Sequence, residues 1–201
     1  MNDPDNWQLQ GVGDFNGDGM SDILWRSPVT GQMVIWLVDG RQMILIGGGS
    51  PSQAASLDWQ FQATGDFDAD GKSDILFRCR TGATQCTPGQ FLIFLMYCST
   101  GPLGQCTVIP APASDPGQGS GLMLQADNKT PEILADTTWQ IVQTGVYQND
   151  ANNSDRHSGI LWFNGAQLLV WHIIGNRTHA NTLSFPINVG SNFQLQTLNA
   201  N

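Results

Sequence analysis

The chain has 201 residues, 40% of them hydrophobic, so it can bury a core as one domain or as one array of small units. Its 17 acidic residues outnumber its 8 lysines and arginines, and the formal net charge is −9. An acidic chain without a basic stripe binds nucleic acid poorly, and no apolar run reaches the length of a membrane span. These properties exclude a nucleic-acid-binding protein and predict no transmembrane segment.

The first predicted unit covers about residues 6–50. A strand at residues 7–10 precedes the segment GDFNGDGMSDILWR, residues 13–26, which we interpret as a loop followed by a second strand. A turn at residues 30–31 leads to a third strand at residues 32–37, and a last strand is predicted at residues 42–46.

The second unit, about residues 58–138, repeats this order. Its loop and second strand read GDFDADGKSDILFR, residues 65–78, and its third strand covers residues 90–95. The stretch from 99 to 138 is rich in Pro, Gly, Ser and Ala, and we predict it to be a long surface loop.

The third unit, about residues 139–190, has a turn at residues 164–165 and a strand at residues 167–171. Residues 191–201 resemble the opening strand of a fourth unit, which could close a neighbouring blade or be swapped between chains. Four-stranded units that repeat near 50 residues are typical of β-propeller blades. The predicted fold is therefore all-β, with three four-stranded propeller blades and the first strand of a fourth.

Each of the first two loops places oxygen donors at alternate positions. These donors are Asp14, Asn16, Asp18 and Asp22 in the first loop, and Asp66, Asp68, Asp70 and Asp74 in the second. Met20 and Lys72, between the last two donors of each set, can offer a backbone carbonyl. Ca²⁺ takes about 6–8 oxygen ligands of these types, whereas one such cluster alone would suit an ordinary turn. An EF-hand is excluded because its twelfth position, normally Glu, is Trp25 or Phe77.

These units resemble the calcium-binding FG-GAP or VCBS repeats of integrin α-chain propellers and of many secreted bacterial and fungal proteins. The resemblance implies a propeller with two Ca²⁺ per chain, held in the loops between the first two strands of a blade. The implied ligands are Asp14, Asn16, Asp18, the Met20 carbonyl and Asp22, then Asp66, Asp68, Asp70, the Lys72 carbonyl and Asp74. In the third unit Val146 and Gly159 stand at the first and last ligand positions, so we expect no comparable metal site there.

The four cysteines all fall in the second unit, and they allow three pairings. Cys79 and Cys86 flank one predicted hairpin turn and Cys98 and Cys106 the next, which favours disulfides in that order. A zinc site is disfavoured because the spacings of the four cysteines include no C-x-x-C pair. Free buried thiols are the remaining alternative. Disulfides and Ca²⁺ sites both suit an extracellular protein. No signal peptide is recognisable, so we expect a mature form or a chain with an added Met1.

No catalytic motif accompanies the three histidines, so we expect a non-enzymatic protein. Two function classes remain: an extracellular structural or adhesive module, and a lectin-like carbohydrate-binding propeller. Three units are fewer than the four to eight blades that usually close a propeller. We therefore expect a homodimer or larger assembly through blade edges and the segment at residues 191–201, with a cell-surface protein or glycan as a possible further partner.

Overall fold

The structure is a computed structural model that describes residues 6–39, 42–45, 56–100, 106–110, 122–126, 138–147, 157–174, 179–182 and 187–190. All regular secondary structure in these residues is β-strand, which confirms the predicted all-β class. The described residues contain no helix that is long and apolar enough to cross a membrane.

Sixteen strands make up the described part of the chain. They are β1 (Gln8–Gly13), β2 (Asp22–Arg26), β3 (Met33–Trp36), β4 (Val38–Asp39), β5 (Gln42–Leu45), β6 (Trp59–Gly65), β7 (Asp74–Cys79), β8 (Phe91–Phe94), β9 (Met96–Thr100), β10 (Cys106–Pro110), β11 (Leu122–Ala126), β12 (Gln140–Gly145), β13 (Gly159–Phe163), β14 (Gln167–Ile174), β15 (His179–Thr182) and β16 (Ile187–Asn188).

The first unit is an antiparallel three-stranded sheet in the order β1-β2-β3. The predicted last strand exists as β5, but it pairs with β4 in a separate hairpin and not with β3. The four-stranded prediction is therefore wrong for this sheet. The backbone N–H of Val38 donates to Asp22 Oδ1 at 3.0 Å, just after β3, so the chain is held there by a loop carboxylate.

The second unit is a four-stranded sheet in the order β6-β7-β8-β11. Its fourth strand lies inside the segment at residues 99–138, which also contains β10, the partner of β9 in a hairpin. The prediction of a long surface loop is thus wrong for β10 and β11. An added strand satisfies the edge of β8, whose backbone groups would otherwise be unpaired.

The third unit has the order β12-β13-β14-β15, and β16 pairs with the beginning of β14. A short parallel pairing of β11 with β15 joins the edges of the second and third sheets. The first strands of all three units carry a register shift at the same place: 9/11, 61/63 and 141/143. The sheets are therefore repeated blade-like units. A closed propeller is not formed by the described residues, and the segment at residues 191–201 lies outside them.

The three sheets stack face to face, because alternate side chains of each strand point to opposite neighbours. The cluster between the first and second sheets contains Phe15, Leu24, Met33, Ile35, Leu37, Trp59, Ile75, Phe77, Cys79, Leu92, Phe94 and Met96. The cluster between the second and third sheets contains Phe67, Leu76, Phe91, Ile93, Leu95, Trp139, Ile160, Trp162, Leu169 and Trp171. The second sheet is thus buried on both faces.

Each junction between sheets is also closed by an arginine at the end of a second strand. Arg26 Nη1 donates to the carbonyl of Trp59 at 2.7 Å, and Arg78 Nη1 donates to the carbonyl of Trp139 at 3.1 Å. The Arg26 guanidinium also lies over the Phe77 ring, 5.2 Å from its centroid. The repeated arginine therefore fixes the start of the following unit.

The first strands of neighbouring units are joined by threonine hydroxyls. Thr64 Oγ1 donates to the carbonyl of Val12 at 2.7 Å, and Thr144 Oγ1 donates to the carbonyl of Thr64. Because these residues occupy the same position in successive units, the hydrogen bond repeats from one junction to the next.

The second unit carries the predicted disulfide between Cys79 and Cys86. The loop that it closes is held by Asp58, whose Oδ2 accepts the backbone N–H groups of Thr84 and Gln85 at 2.9 and 3.0 Å. The predicted partner pair, Cys98 with Cys106, concerns side chains outside the described ones. The backbone of β9 and β10 places Cys98 opposite Val108 and Cys106 opposite Thr100.

Candidate metal centre

The loop between β6 and β7 brings three predicted ligands together. Carboxylate oxygens of Asp66, Asp68 and Asp74 lie within 4.8 Å of one another. Among the described residues, this is the one group of three or more His, Cys, Asp or Glu side chains that meets that distance. The alternate spacing in the sequence explains the arrangement, since the loop curls around the side chains on its inner side.

Hydrogen bonds to the backbone hold these side chains. Asp66 accepts the N–H groups of Asp70 and Gly71 at 3.1 and 3.0 Å, and Asp68 accepts that of Asp70 at 3.1 Å. Asp70 itself accepts the Lys72 backbone N–H at 2.8 Å and forms an ion pair with Lys72 Nζ at 2.9 Å. Two of the predicted ligand residues, Asp70 and Lys72, therefore contact each other at the loop surface, outside the cluster of three.

Asp74 has a second role, because it is fully buried and joins three parts of its unit. Its two carboxylate oxygens accept the N–H groups of Phe67 and Met96, both at 2.8 Å. The same bonds recur in the first unit, where Asp22 accepts from Phe15 at 2.9 Å and from Val38 at 3.0 Å. The sequence pattern marked these residues as ligands but gave no sign of this structural function.

In the absence of a cation, the negative charges of the loop carboxylates are unfavourable in the folded state. Burial raises the pKa of Asp74 well above its ordinary value, and the negative charge of Asp68 adds to this rise. Burial is also the main cause that raises the pKa of Asp66 and of Asp22. The hydrogen bond to Asp70 raises the pKa of Lys72. A positive charge placed among the three carboxylates would oppose both their desolvation and their mutual repulsion.

The loop between β1 and β2 has the same fold with a looser arrangement of donors. Asp14 accepts the N–H groups of Gly17, Asp18 and Gly19 at 2.6, 3.1 and 2.8 Å. The Asn16 side-chain amide donates to Asp18 Oδ2 at 2.9 Å, so these two predicted ligands contact each other. Asp18 Oδ1 accepts the backbone N–H of Met20 at 2.8 Å. Asp14, Asp18 and Asp22 are all described, yet they do not form a cluster within 4.8 Å.

The tight curvature of both loops depends on positive φ angles. Gly17, Gly19 and Gly71 have φ of 79°, 84° and 85°, values that glycine adopts without steric cost. Ala69 stands where the first loop has Gly17, and its φ is 59°. The second loop therefore keeps the same backbone path with an alanine in the left-handed region.

Neighbouring loops are in direct contact. The Ser73 N–H donates to the carbonyl of Asp14 at 2.6 Å, and the Ser158 N–H donates to the carbonyl of Asp66 at 2.6 Å. The ring of His157 also contacts a loop carbonyl, with Nδ1 3.0 Å from the Phe67 oxygen. Residues 148–156, which include most of the divergent third loop, lie outside the described residues.

The second loop fits a hard divalent cation, because its clustered donors are all carboxylate oxygens that backbone N–H groups hold in place. Asp66, Asp68 and Asp74 would hold the ion, which would supply positive charge where three carboxylates converge.

A family model described as an FG-GAP-like repeat matches residues 14–77, which run from the first ligand of the first loop into β7 of the second unit. No curated protein and no solved structure matches the chain. Residues 14–77 of the chain are therefore similar to an FG-GAP-like repeat.

Proposed function

We propose that the chain is a non-enzymatic, extracellular, calcium-binding repeat module with a structural or adhesive role. The observation that carries this proposal is the group of Asp66, Asp68 and Asp74 oxygens within 4.8 Å, in a loop that repeats in the first unit. Both loops would take one Ca²⁺ each, giving two per chain. The match to an FG-GAP-like repeat supports the same role.

The ion would act by joining strands. In the second unit it would lie among side chains from both ends of the loop, Asp66 after β6 and Asp74 at the start of β7. The backbone N–H of Ser158, in the third unit, donates to the carbonyl of Asp66, so fixing the conformation of this loop also fixes a contact with the next sheet. A bound ion would therefore stabilise the junction between the second and third units as well as the loop.

Thermal melts in excess calcium and in excess chelator test the proposal, together with elemental analysis. A ligand that binds only the folded state stabilises it by about 2.7 kcal/mol at one hundred times its Kd. We expect a higher melting temperature in calcium and two calcium ions per chain. Asp68→Asn, which keeps an acceptor for the Asp70 N–H, should reduce the calcium-dependent rise.

Asp58→Asn is the matched control, because Asp58 belongs to the same unit but bonds to the disulfide loop. It should shift both melts and leave the difference between them unchanged. Equal melting temperatures in calcium and chelator for the unmodified chain would contradict the metal proposal.

The extracellular assignment rests on the Cys79–Cys86 disulfide and on the repeat match, since disulfides persist mainly outside the reducing cytosol. The adhesive role predicts binding to a protein surface. Stoichiometric binding on a glycan array, unaffected by Asp68→Asn, would favour the lectin-like alternative.

A further inference from the structure

The outward face of the first sheet is partly exposed at positions that are buried in the other two sheets. Its members are Trp7, Ile23, Trp25, Val34 and Trp36, all partly exposed. The corresponding residues of the second sheet are Trp59, Ile75, Phe77, Leu92 and Phe94, all buried. Those of the third sheet are Trp139, Ile160, Trp162, Leu169 and Trp171, also buried. We call this the front face.

The outward face of the third sheet shows the complementary pattern. Its members are Tyr147, which is 39% exposed, and the partly exposed Leu161, Leu168 and Val170. The corresponding residues are Phe15, Leu24, Met33 and Ile35 in the first sheet and Phe67, Leu76, Phe91 and Ile93 in the second, and all eight are buried. We call this the back face.

Paired aromatic rings show what the front face lacks. In the third sheet, Trp162 and Trp171 lie with ring centroids 4.8 Å apart, and Phe91 of the second sheet contacts them edge-on at 5.3 and 5.6 Å. The equivalent pair in the first sheet, Trp25 and Trp36, has a similar separation of 5.1 Å. The described residues provide no third ring against this pair.

We propose that a second copy of this chain covers both faces. The back face of each copy would pack on the front face of the other, in the same way that the first sheet packs on the second and the second on the third. The two faces differ, so the contact is head to tail, and two copies related by a twofold axis would close a ring of six units. Six lies within the four to eight blades typical of closed propellers. This proposal does not rest on metal binding.

The new junction would be weaker than the two inside the chain. Phe163 occupies the position of Arg26 and Arg78, so the arginine bond to the following unit is lost. Val12 occupies the position of Thr64 and Thr144, so the hydroxyl bond between first strands is lost as well. The apolar contacts remain. Association should therefore be reversible and depend on protein concentration.

Sedimentation equilibrium of the full 201-residue chain, in buffer with calcium, measures this association. We expect a monomer–dimer equilibrium. Val12→Thr changes an exposed residue and supplies the hydroxyl that Thr64 and Thr144 provide at the internal junctions. The added hydrogen bond should tighten each junction between copies about 2- to 10-fold. Thr64→Val removes the same bond from an internal junction and should leave the dimer Kd unchanged, although it lowers stability.

Charged substitutions on each face test the head-to-tail arrangement. Trp36→Lys on the front face and Val170→Lys on the back face should each give a monomer, with circular dichroism showing that the fold is kept. An equimolar mixture of the two variants retains one intact junction and should form a heterodimer. A chain that is monomeric at all concentrations would overturn the proposal, and so would a Val170→Lys variant that dimerises as well as the original chain.

Discussion

The carboxylates of the second loop divide into two kinds according to burial. Asp74 is fully buried and accepts the backbone N–H groups of Phe67 and Met96, so it connects three parts of the unit with or without a cation. Asp70 is exposed and bonds to Lys72. Its contribution to the bare fold should be small, because exposed ion pairs stabilise proteins by less than about 1 kcal/mol.

Ala69 of the second loop lies in the left-handed region, and a substitution can relieve the backbone strain at this position. A non-glycine residue there costs roughly 1–2 kcal/mol, and glycine loses about 0.5–1 kcal/mol of that gain through its greater freedom when unfolded. We expect Ala69→Gly to raise the free energy of unfolding by up to about 1 kcal/mol in urea titrations.

The reverse change, Gly17→Ala, should lower the free energy of unfolding. Gly17 has a φ of 79°, and an added Cβ would lie 3.3 Å from Lys72 Cγ. If both substitutions shifted the urea midpoint in the same direction, backbone strain would not be the cause.

Asp58 gives the molecule a pH-dependent contact away from the metal loops. The backbone N–H groups of Thr84 and Gln85, and then the Arg80 side chain, lower the pKa of Asp58 below its ordinary value of 3.8. A lowered pKa in the folded state means that the contact stabilises fully above pH 3.8 and is lost as the pH falls through the folded value. Asp58→Asn should therefore lower the urea midpoint at neutral pH, and the difference from the original chain should shrink below pH 3.8. A difference that stays constant with pH would contradict this.

At the scale of elements, the sequence predicted those strands that repeat. The first three strands of each unit and both loops follow from the recurrence of one pattern, and the Cys79–Cys86 disulfide follows from its hairpin. The pairing of β5 and the strands β10 and β11 could not be predicted, because strand partners far apart in the chain depend on which sheet edge is free. The pattern also named Asp70 as a ligand without showing that Lys72 competes for it.

The arginine at each junction should be a major contact between sheets. Arg26 is buried, donates to the carbonyls of Trp59 and Ser56 at 2.7 and 3.1 Å, and lies over Phe77. Arg26→Met keeps the apolar stem but leaves these carbonyls without their donor, which should cost about 1–3 kcal/mol in unfolding free energy.

Arg80→Met is the control for loss of one positive charge. The Arg80 side chain is 42% exposed, and without it Asp58 still accepts the backbone N–H groups of Thr84 and Gln85, so the cost should be clearly smaller. Similar urea midpoints for the two variants would show that the junction does not depend on the guanidinium contacts.

At the scale of the whole molecule, the three sheets form a linear stack in which the first and third sheets each rely on the second. The first core cluster joins sheets one and two, and the second cluster joins sheets two and three. In such arrays the stability of a unit depends mainly on its nearest neighbours. Damage to one cluster should therefore release the outer sheet on that side before the rest of the chain unfolds.

Two leucines on opposite sides of the second sheet make this testable by hydrogen exchange. Leu24 faces the second sheet from the first, and Leu169 faces it from the third; both are almost fully buried. Replacing either with alanine should cost about 2–5 kcal/mol at its own junction. We expect Leu24→Ala to speed exchange in β1–β3 while β12–β14 stay protected, and Leu169→Ala to give the opposite pattern. Uniform acceleration in all three sheets by either variant would instead mean that the stack unfolds as a single cooperative unit.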